Sequence, residues 1–332
     1  MSLKKLMIVN SETGEQEEIL DKYMYYSFPK LIVKAEKVKS ICDQIGFPIE
    51  VCGTPSVTDA FRSATGDIYD KIDLTADDGE VKTCKIYCRD NMRVDKDVLS
   101  RELVEETLYQ HTNSYRKLAN ISLDKETGIM RMSDVDYTSD RDIRGYFDKA
   151  ERFFEVYQNC LGNRSIETMA EKYVASLNAI SISARGHHFF VPKANMHKIA
   201  MLEDFLELLA KENLFTYADN RDSKYISMNS MYVVDDDEQR AKMSREFYQD
   251  MGREIEEYQN RISKLIQNGN SSQRILDRWE LKIQSLENKK REYEKILKKN
   301  LSGIDENFTM LRDMCDQFKF AVKRTQVFGL AA

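Results

Sequence analysis

Apolar residues recur at heptad spacing in the C-terminal part of the chain. Between Phe247 and Leu265 they are separated by steps of four or three residues, which is the spacing of a helix–helix seam. Asn, Gly and Ser residues at 268–272 interrupt the pattern, and a second helix with similar spacing follows up to Leu297. The pattern predicts a long antiparallel helical hairpin (a coiled coil) and then a third helix, within residues 235–326.

The charges of the two predicted helices are opposite in sign. Residues 235–268 contain nine acids and six bases, whereas residues 269–300 contain five acids and nine bases. An antiparallel hairpin brings Lys298 and Lys299 close to the acidic start of the first helix. Opposite charges on facing helices therefore favour pairing within one chain.

The pattern before residue 235 mixes strands and helices, so the expected fold class is α+β. One hairpin is predicted around the Asp-Gly turn that follows Leu74, and another around the turn at 124–127. Helical spacing predicts a helix that begins near Pro29 and ends at Gly46. We expect an N-terminal α+β part (1–135) and a central α+β part (136–234) of one body, with the helical arm attached to it.

Composition narrows the class of protein. Gly (13) and Pro (4) are scarce, which favours long elements, and the net charge of −6 gives a field that does not attract nucleic acid or anionic lipid. The six cysteines lack metal-site spacing, and no signal peptide or membrane span is predicted, so a cytoplasmic location with reduced thiols is expected. Most Tyr and Phe residues are assigned to predicted core stripes. They are not interleaved with Arg and Lys, as they would be in a groove that binds single-stranded nucleic acid. No cofactor is expected.

Three of the four histidines lie in one stretch, and His188 and His197 are the candidates for a metal site. His187 and His188 are adjacent on a predicted strand, so they point to opposite faces, and His197 lies in the helix that follows. A zinc site needs three or four ligands at motif spacing, which this stretch lacks. The favoured interpretation is that these histidines are structural and bind no metal.

The candidates for catalysis are Asp73, Glu80 and Lys82. Their order resembles the D…(D/E)-x-K arrangement of a nuclease class in which two carboxylates hold Mg²⁺ and a lysine orients the attacking water. Such a pattern also arises by chance in charged sequences, and a tight hairpin explains these residues equally well. The favoured prediction is that the chain is not an enzyme.

Several residues of the arm are expected to bind a partner. A third helix of about 22 residues spans about 33 Å and should not reach the tip of a hairpin about 45 Å long. Apolar surface near the tip is then left for another molecule, and a homo-oligomer is plausible. The candidate partner-binding residues are Tyr248, Ile266, Leu276, Leu281, Lys289, Lys290 and Arg291.

Two segments resemble an uncharacterised protein family from tailed phages and integrated mobile elements. They are TPSVTDAFR (54–62) and the strand–Val-Pro–helix segment from His187 to Leu209. Members of that family also end in long charged helices, and no catalytic residue is carried over from them. The resemblance implies a phage or mobile-element protein in the cytoplasm of a host cell.

The preferred function is therefore non-enzymatic. The chain would bind, and inhibit or sequester, a host protein complex such as an anti-phage defence system, through its C-terminal arm. One alternative is a nucleic-acid-handling protein that uses local basic patches such as residues 288–299. A second alternative is the Mg²⁺-dependent nuclease.

Overall fold

The computed structural model describes residues 7–9, 16–28, 30–75, 81–91, 97–108, 113–183, 186–214 and 227–329. The strands in these residues are β1 (Met7–Val9), β2 (Gln16–Ser27), β3 (Ile32–Lys34), β4 (Tyr69–Thr75), β5 (Val81–Asp90), β6 (Val98–Leu108), β7 (Ser114–Asp124), β8 (Met130–Ser133), β9 (Cys160–Gly162), β10 (Ile180–Ser181), β11 (His187–Pro192) and β12 (Ser227–Val234). The helices are α1 (Ala35–Ile45), α2 (Val57–Gly66), α3 (Ile143–Gln158), α4 (Asn163–Ser176), α5 (Ile199–Lys211), α6 (Asp237–Gln267), α7 (Gln273–Ile296) and α8 (Asp305–Gly329). The expected α+β class, with antiparallel hairpins and long C-terminal helices, is confirmed.

The chain forms two compact units, and each unit is built from separate segments. Unit 1 lies within residues 1–28, 171–204 and 224–332, and unit 2 lies within residues 29–170 and 205–223. These units do not coincide with the three consecutive parts expected from the sequence. Within the described residues, none of the helices combines the length and the apolar character needed to cross a bilayer.

Unit 2 is organised around a five-stranded antiparallel sheet in which β4 to β8 pair in chain order. Both hairpins predicted from the sequence, β4–β5 and β7–β8, are present. The helices α2 and α3 pack on one face of this sheet, where their apolar side chains share a core with those of the strands. This core includes Phe61, Phe147, Phe154, Ile86, Leu103 and Ile121. The opposite face of the sheet is called the open face below.

The start of unit 2 differs from the sequence prediction. Residues 32–34 form β3, which pairs with β9, and the helix begins only at Ala35. Two side-chain amides hold the preceding backbone extended: Leu31 N donates to Asn163 Oδ1 (2.7 Å) and Ile32 N donates to Asn213 Oδ1 (3.0 Å). These partners are distant in sequence, so the local pattern did not reveal them.

Unit 1 has its own antiparallel sheet, with β2 at its centre. β2 pairs with β1, β11 and β12, and β10 pairs with the other side of β11. Leu20 of β2 and Ile180 of β10 are buried in the same core as the side chains of α6, α7 and α8. The helical arm is therefore packed on the sheet of its own unit.

The three C-terminal helices form a bundle whose ion pairs define its register. Lys298 of the segment after α7 contacts Asp235 (2.9 Å), as the charge pattern predicts for an antiparallel hairpin. The helix α8 runs back along α7, because Arg312 pairs with Glu287 (2.6 Å) and Lys319 pairs with Glu280 (2.8 Å).

The expectation that the third helix stops short of the tip is wrong. Lys319 of α8 contacts Glu280, which lies in the second turn of α7, and Val322 of α8 is buried in the bundle core. Helix α8 has 25 residues, and it covers almost the full length of α7. Leu276, which was expected to remain exposed near the tip, is buried in the same core.

Candidate ligand-binding site

Of the residues in the nuclease pattern, the structure describes Asp73 and the backbone of Lys82. Asp73 of β4 pairs with Thr83, whose hydroxyl donates to Asp73 Oδ1 at 2.6 Å. The backbone position of Lys82 pairs with Leu74 instead, so Lys82 is one residue out of register with Asp73. Glu80 lies outside the described residues.

The histidines are held by aromatic neighbours in the sheet of unit 1. His187 and His188 are successive positions of β11, as expected. The His187 ring stacks on Tyr26 with centroids 4.4 Å apart, and His188 Nδ1 is 2.8 Å from the hydroxyl of Tyr23. His197 is exposed in the 3₁₀ turn Lys193–Lys198. Among the described residues, neither His188 nor His197 belongs to a cluster of three side chains close enough to share a metal ion.

Most of the proposed partner-binding residues contribute to the bundle itself. Tyr248 and Ile266 are partly buried against the bundle core, whereas Leu281 is 67% exposed. Lys289 pairs with Asp250 and Glu254, and Lys290 pairs with Glu294 and Asp305. Arg291 is exposed, and it donates to Asn288. Of the four apolar candidates, Leu281 is the one with a largely accessible side chain.

A cleft of about 830 Å³ lies in unit 2 at one end of α3. Its floor is built around Asp67, which follows the last residue of α2, and it is called the Asp67 cleft here. The other principal lining residues are Lys30, Tyr69, Lys149, Arg152, Phe153 and Tyr157. Clefts of this volume with mixed apolar and polar walls are typical of small-molecule sites.

Three side chains from separate segments meet at the floor of the cleft. Lys30 Nζ forms an ion pair with Asp67 Oδ2 (2.5 Å), and the hydroxyl of Tyr157 donates to the same oxygen. Burial, together with the neighbouring Asp67 carboxylate, raises the pKa of Tyr157 well above its usual value. Tyr157 therefore remains a protonated donor at neutral pH, and one carboxylate oxygen serves both partners.

The rim of the cleft is cationic and aromatic. Lys149, Arg152 and Phe153 follow one side of α3 at helical spacing, so their side chains line the same wall. Lys149 Nζ lies 5.6 Å from the centroid of the Phe153 ring. Tyr69, the first residue of β4, is 55% exposed on the other side of the opening.

A second cleft of about 780 Å³ adjoins the first and shares Lys30, Asp67 and Tyr157 with it. Arg62 of α2 and Arg164 of α4 add two more cations to its walls. The acid Asp59 is engaged, because it accepts from the Ser56 hydroxyl at 2.7 Å. The adjoining space therefore extends the cationic character of the Asp67 cleft.

A family model described as "Family of unknown function (DUF6744)" matches residues 19–324, which is most of the chain. The chain belongs to this family. No curated protein and no solved structure matches it. The family description names no activity and no source, so the link to tailed phages stays a prediction.

Sequence reasoning did not identify the Asp67 cleft. Lys30, Asp67 and Tyr157 are far apart in the chain and meet only in the folded unit. The spacing of Lys149, Arg152 and Phe153 was a usable signal, because it places two cations and one aromatic ring along one side of α3. The apolar stripe that buries the other side of this helix does not account for them.

Proposed function

We propose that this chain is a non-enzymatic binding protein and that the Asp67 cleft binds a small ligand with an anionic group and a planar apolar part. The observation that carries the proposal is the composition of the cleft: cations, the exposed ring of Tyr69 and the half-buried ring of Phe153 surround a floor whose polar groups are already paired. Lys149 and Arg152 would hold the anionic group, and Tyr69 and Phe153 would contact the planar part.

The balance of charge in the cleft favours an anion. Three of its lining residues are cations, whereas Asp67 is the acid among them. Lys30 offsets the charge of Asp67 directly, so the positive charge of Lys149 and Arg152 is left to act on a ligand. A neutral or cationic ligand would leave those two charges without a partner.

The floor of the cleft supports binding more than proton transfer. A general base needs a pKa near neutral pH, but the raised pKa of Tyr157 keeps its proton in place. Asp67 is already occupied by Lys30 and Tyr157. These groups would give the cleft a fixed shape and a hydrogen-bonding wall.

Calorimetric titration of the full chain with AMP, UMP and inorganic phosphate tests this proposal. We expect at least one nucleotide to bind, and the double variant Lys149→Ala/Arg152→Ala to weaken that binding by tenfold or more. Arg144→Ala is the matched control, because Arg144 is a cation of the same helix that pairs with Asp148 and does not line the cleft. Equal affinity of the double variant and the wild type would refute the proposal.

A second candidate function, binding of a partner protein by the bundle, is favoured by two exposed side chains. Leu281 of α7 is 67% exposed and Phe320 of α8 is 72% exposed. The adjacent ion pair between Glu280 and Lys319 indicates that they lie at a similar height on neighbouring helices. Self-association through these residues would be lost in Leu281→Asp/Phe320→Asp, which light scattering measures. A host defence complex as the partner stays a prediction.

A further inference from the structure

The open face of the unit 2 sheet carries rows of aromatic and cationic residues that its strand register defines. Tyr69 of β4 pairs with Tyr87 of β5, which pairs with Val104 of β6, which pairs with Lys117 of β7. Residues that pair across neighbouring strands point to the same face. The four positions therefore form one row across the sheet.

The next row has the same character. Lys71 of β4 pairs with Lys85 of β5, Lys85 pairs with Glu106 of β6, and Glu106 pairs with Tyr115 of β7. Arg89 of β5 extends the face on the other side of the first row. Along β5 the residues Lys85, Tyr87 and Arg89 thus alternate with the buried positions of the strand.

Along β5 the alternation of burial shows which face these rows occupy, whereas on β6 both Val104 and Glu106 are buried at positions of the open-face rows. Cys84, Ile86 and Cys88 are buried, and the last two belong to the core beneath α2 and α3. Asp70 lies on the helix side as well, because its carboxylate accepts from the hydroxyl of Tyr146 in α3 at 2.9 Å. The tyrosines and cations at the intervening positions lie on the open face.

Two of the tyrosines on this face are exposed, the third, Tyr87, is half-buried, and a central acid holds the hydroxyl of Tyr115. Tyr69 is 55% exposed and Tyr115 is 52% exposed. Glu106 accepts from the Tyr115 hydroxyl (2.9 Å) and from Asn113 Nδ2 (2.7 Å), and the Tyr115 hydrogen bond is the main cause that lowers the pKa of Glu106. The guanidinium of Arg89 lies 5.4 Å from the Tyr115 ring centroid. Fixed rings with a cation beside them are suited to stacking on flat ligands.

The acids on the face limit how strongly it can attract phosphate. Glu102 pairs with Arg89 (3.0 Å), Lys117 pairs with Asp134 (3.0 Å), and Asp73 is exposed at the edge of the sheet. Lys71 and Lys85 supply the remaining positive charge, and Lys85 lies opposite the acid Glu106 of β6. The face therefore combines stacking surface with a small number of phosphate contacts.

We propose that the open face binds single-stranded nucleic acid, with bases stacked on Tyr69, Tyr87 and Tyr115 and phosphates held by Lys71 and Lys85. Neighbouring strands are about 4.8 Å apart, so Tyr115 lies about 10 Å across the sheet from Tyr87, a distance that two or three nucleotides span. Bases in a single strand are free to stack on aromatic side chains, whereas a duplex keeps its bases stacked internally.

This inference rests on the proposed function through one residue, because Tyr69 both begins the first row and lines the Asp67 cleft. A terminal nucleotide would occupy the cleft beside α3, and the strand would pass round the start of the edge strand β4 to reach Tyr87 and Tyr115 on the open face. The inference therefore specifies the ligand class of the cleft as a nucleotide within a single strand.

Fluorescence anisotropy of the full chain with labelled dT12, rU12 and a 12-base-pair duplex tests the inference. We expect the single strands to bind at least tenfold more tightly than UMP and than the duplex. Because about two phosphates are contacted, affinity should fall roughly sevenfold between 50 and 200 mM salt. A single strand that binds no more tightly than UMP would overturn the inference while leaving the cleft proposal intact.

Variants of Tyr115 distinguish a loss of base stacking from a loss of folding. Tyr115→Ala should weaken binding of the single strand about fivefold or more, whereas Tyr115→Phe keeps the ring and should retain most of the affinity. Tyr137→Ala is the matched control, since Tyr137 is 90% exposed in the same unit but lies beyond the last strand of the sheet. Unchanged thermal melting would confirm that the Ala variant is folded.

The two proposals fail in different ways. Tyr115→Ala should leave UMP binding unchanged, because Tyr115 is not among the residues that line the cleft. Lys149→Ala/Arg152→Ala should weaken UMP binding. If Tyr115→Ala binds the single strand as the wild type does, the open-face inference is overturned, whatever the cleft variants show.

Discussion

At the scale of single residues, Asp21 is the clearest example of a side chain whose environment opposes its charge. It lies in the central strand of the unit 1 sheet, is fully buried, and has a carboxylate oxygen, Oδ2, without a hydrogen-bond partner. Burial raises its pKa well above the usual value, the hydrogen bond from Lys22 N opposes that shift, and the charge of Glu292 adds to it. The folded protein therefore favours the protonated form of Asp21.

The stability of unit 1 should consequently fall as pH rises, because Asp21 loses its proton more readily in the unfolded chain than in the folded protein. The folded state binds this proton more tightly than the unfolded state does, so stability is lost as pH rises from about 4 towards the raised pKa. Asp21→Asn should melt a few degrees higher than the wild type at pH 8 and show a flatter pH profile, which thermal melting at several pH values measures. Asp313→Asn, a substitution at an exposed position of α8, is the control and should leave the dependence of the melting temperature on pH unaltered. Identical profiles for Asp21→Asn and the wild type would contradict the prediction.

At the scale of elements, a helix or strand could be predicted from the sequence when its charged residues lie outside its buried positions. The heptad seam revealed α6 and α7 because their charged residues, apart from Lys290 at one seam position, stay off the buried stripe. Strands β2 and β6 were not recognised, since β2 contains the buried Asp21 and β6 contains Glu105 and Glu106, which are nearly buried. Charged residues at buried positions, on either face of a sheet, hide the alternation that marks a strand.

The two sites illustrate the same limit. The open face has a periodic signal, because Tyr69 and Lys71, and Lys85, Tyr87 and Arg89, are two residues apart on strands. The expectation that aromatic residues are not interleaved with cations is wrong for these strands. The Asp67 cleft has no such signal, since Lys30, Asp67 and Tyr157 meet only through tertiary packing.

The buried seam of α7 provides a direct comparison of two leucines. Leu286 is buried in the bundle core, whereas Leu281 on the same helix is 67% exposed. Leu286→Ala should destabilise the bundle by about 2–5 kcal/mol, and Leu281→Ala should change stability by no more than about 0.5 kcal/mol. Hydrogen exchange of the α7 amides reports this locally. Comparable loss of protection in both variants would show that the seam is placed incorrectly.

The basic stretch at 288–299 should stabilise the bundle and contribute little to nucleic-acid binding. Lys289 and Lys290 are each paired with two acids, so their charges are offset within the protein. Lys289→Ala/Lys290→Ala should therefore lower the melting temperature but leave the affinity for dT12 within about twofold, because an alanine at an ion-paired position removes little net attraction for phosphate. A marked loss of dT12 affinity with unchanged melting would instead assign this stretch to the nucleic-acid interface.

At the scale of the whole molecule, the chain returns to unit 1 after forming most of unit 2. Unit 1 therefore depends on segments that are distant in sequence: its sheet comes from residues before 28, from 180–192 and from 227–234, and its helices come from the C-terminal part. The helices supply most of the buried apolar side chains of the core that they share with Leu20 and Ile180. The arm is thus a structural part of unit 1, whereas the sequence analysis described it as an arm attached to a body formed by residues 1–234.

Removing the helices should unfold the sheet on which they pack. In a chain that ends at Val234, the apolar face formed by Leu20, Ile180 and their neighbours would be exposed to water, and a sheet without its core partner is not stable alone. Amides of β2 and β11 should then exchange rapidly, whereas those of β6 and β7 in unit 2, whose core is formed by α2 and α3, should keep their protection. Mass spectrometry of exchanged peptides measures both sets in one sample. Full protection of β2 and β11 in the shortened chain would show that the bundle is a separable arm after all.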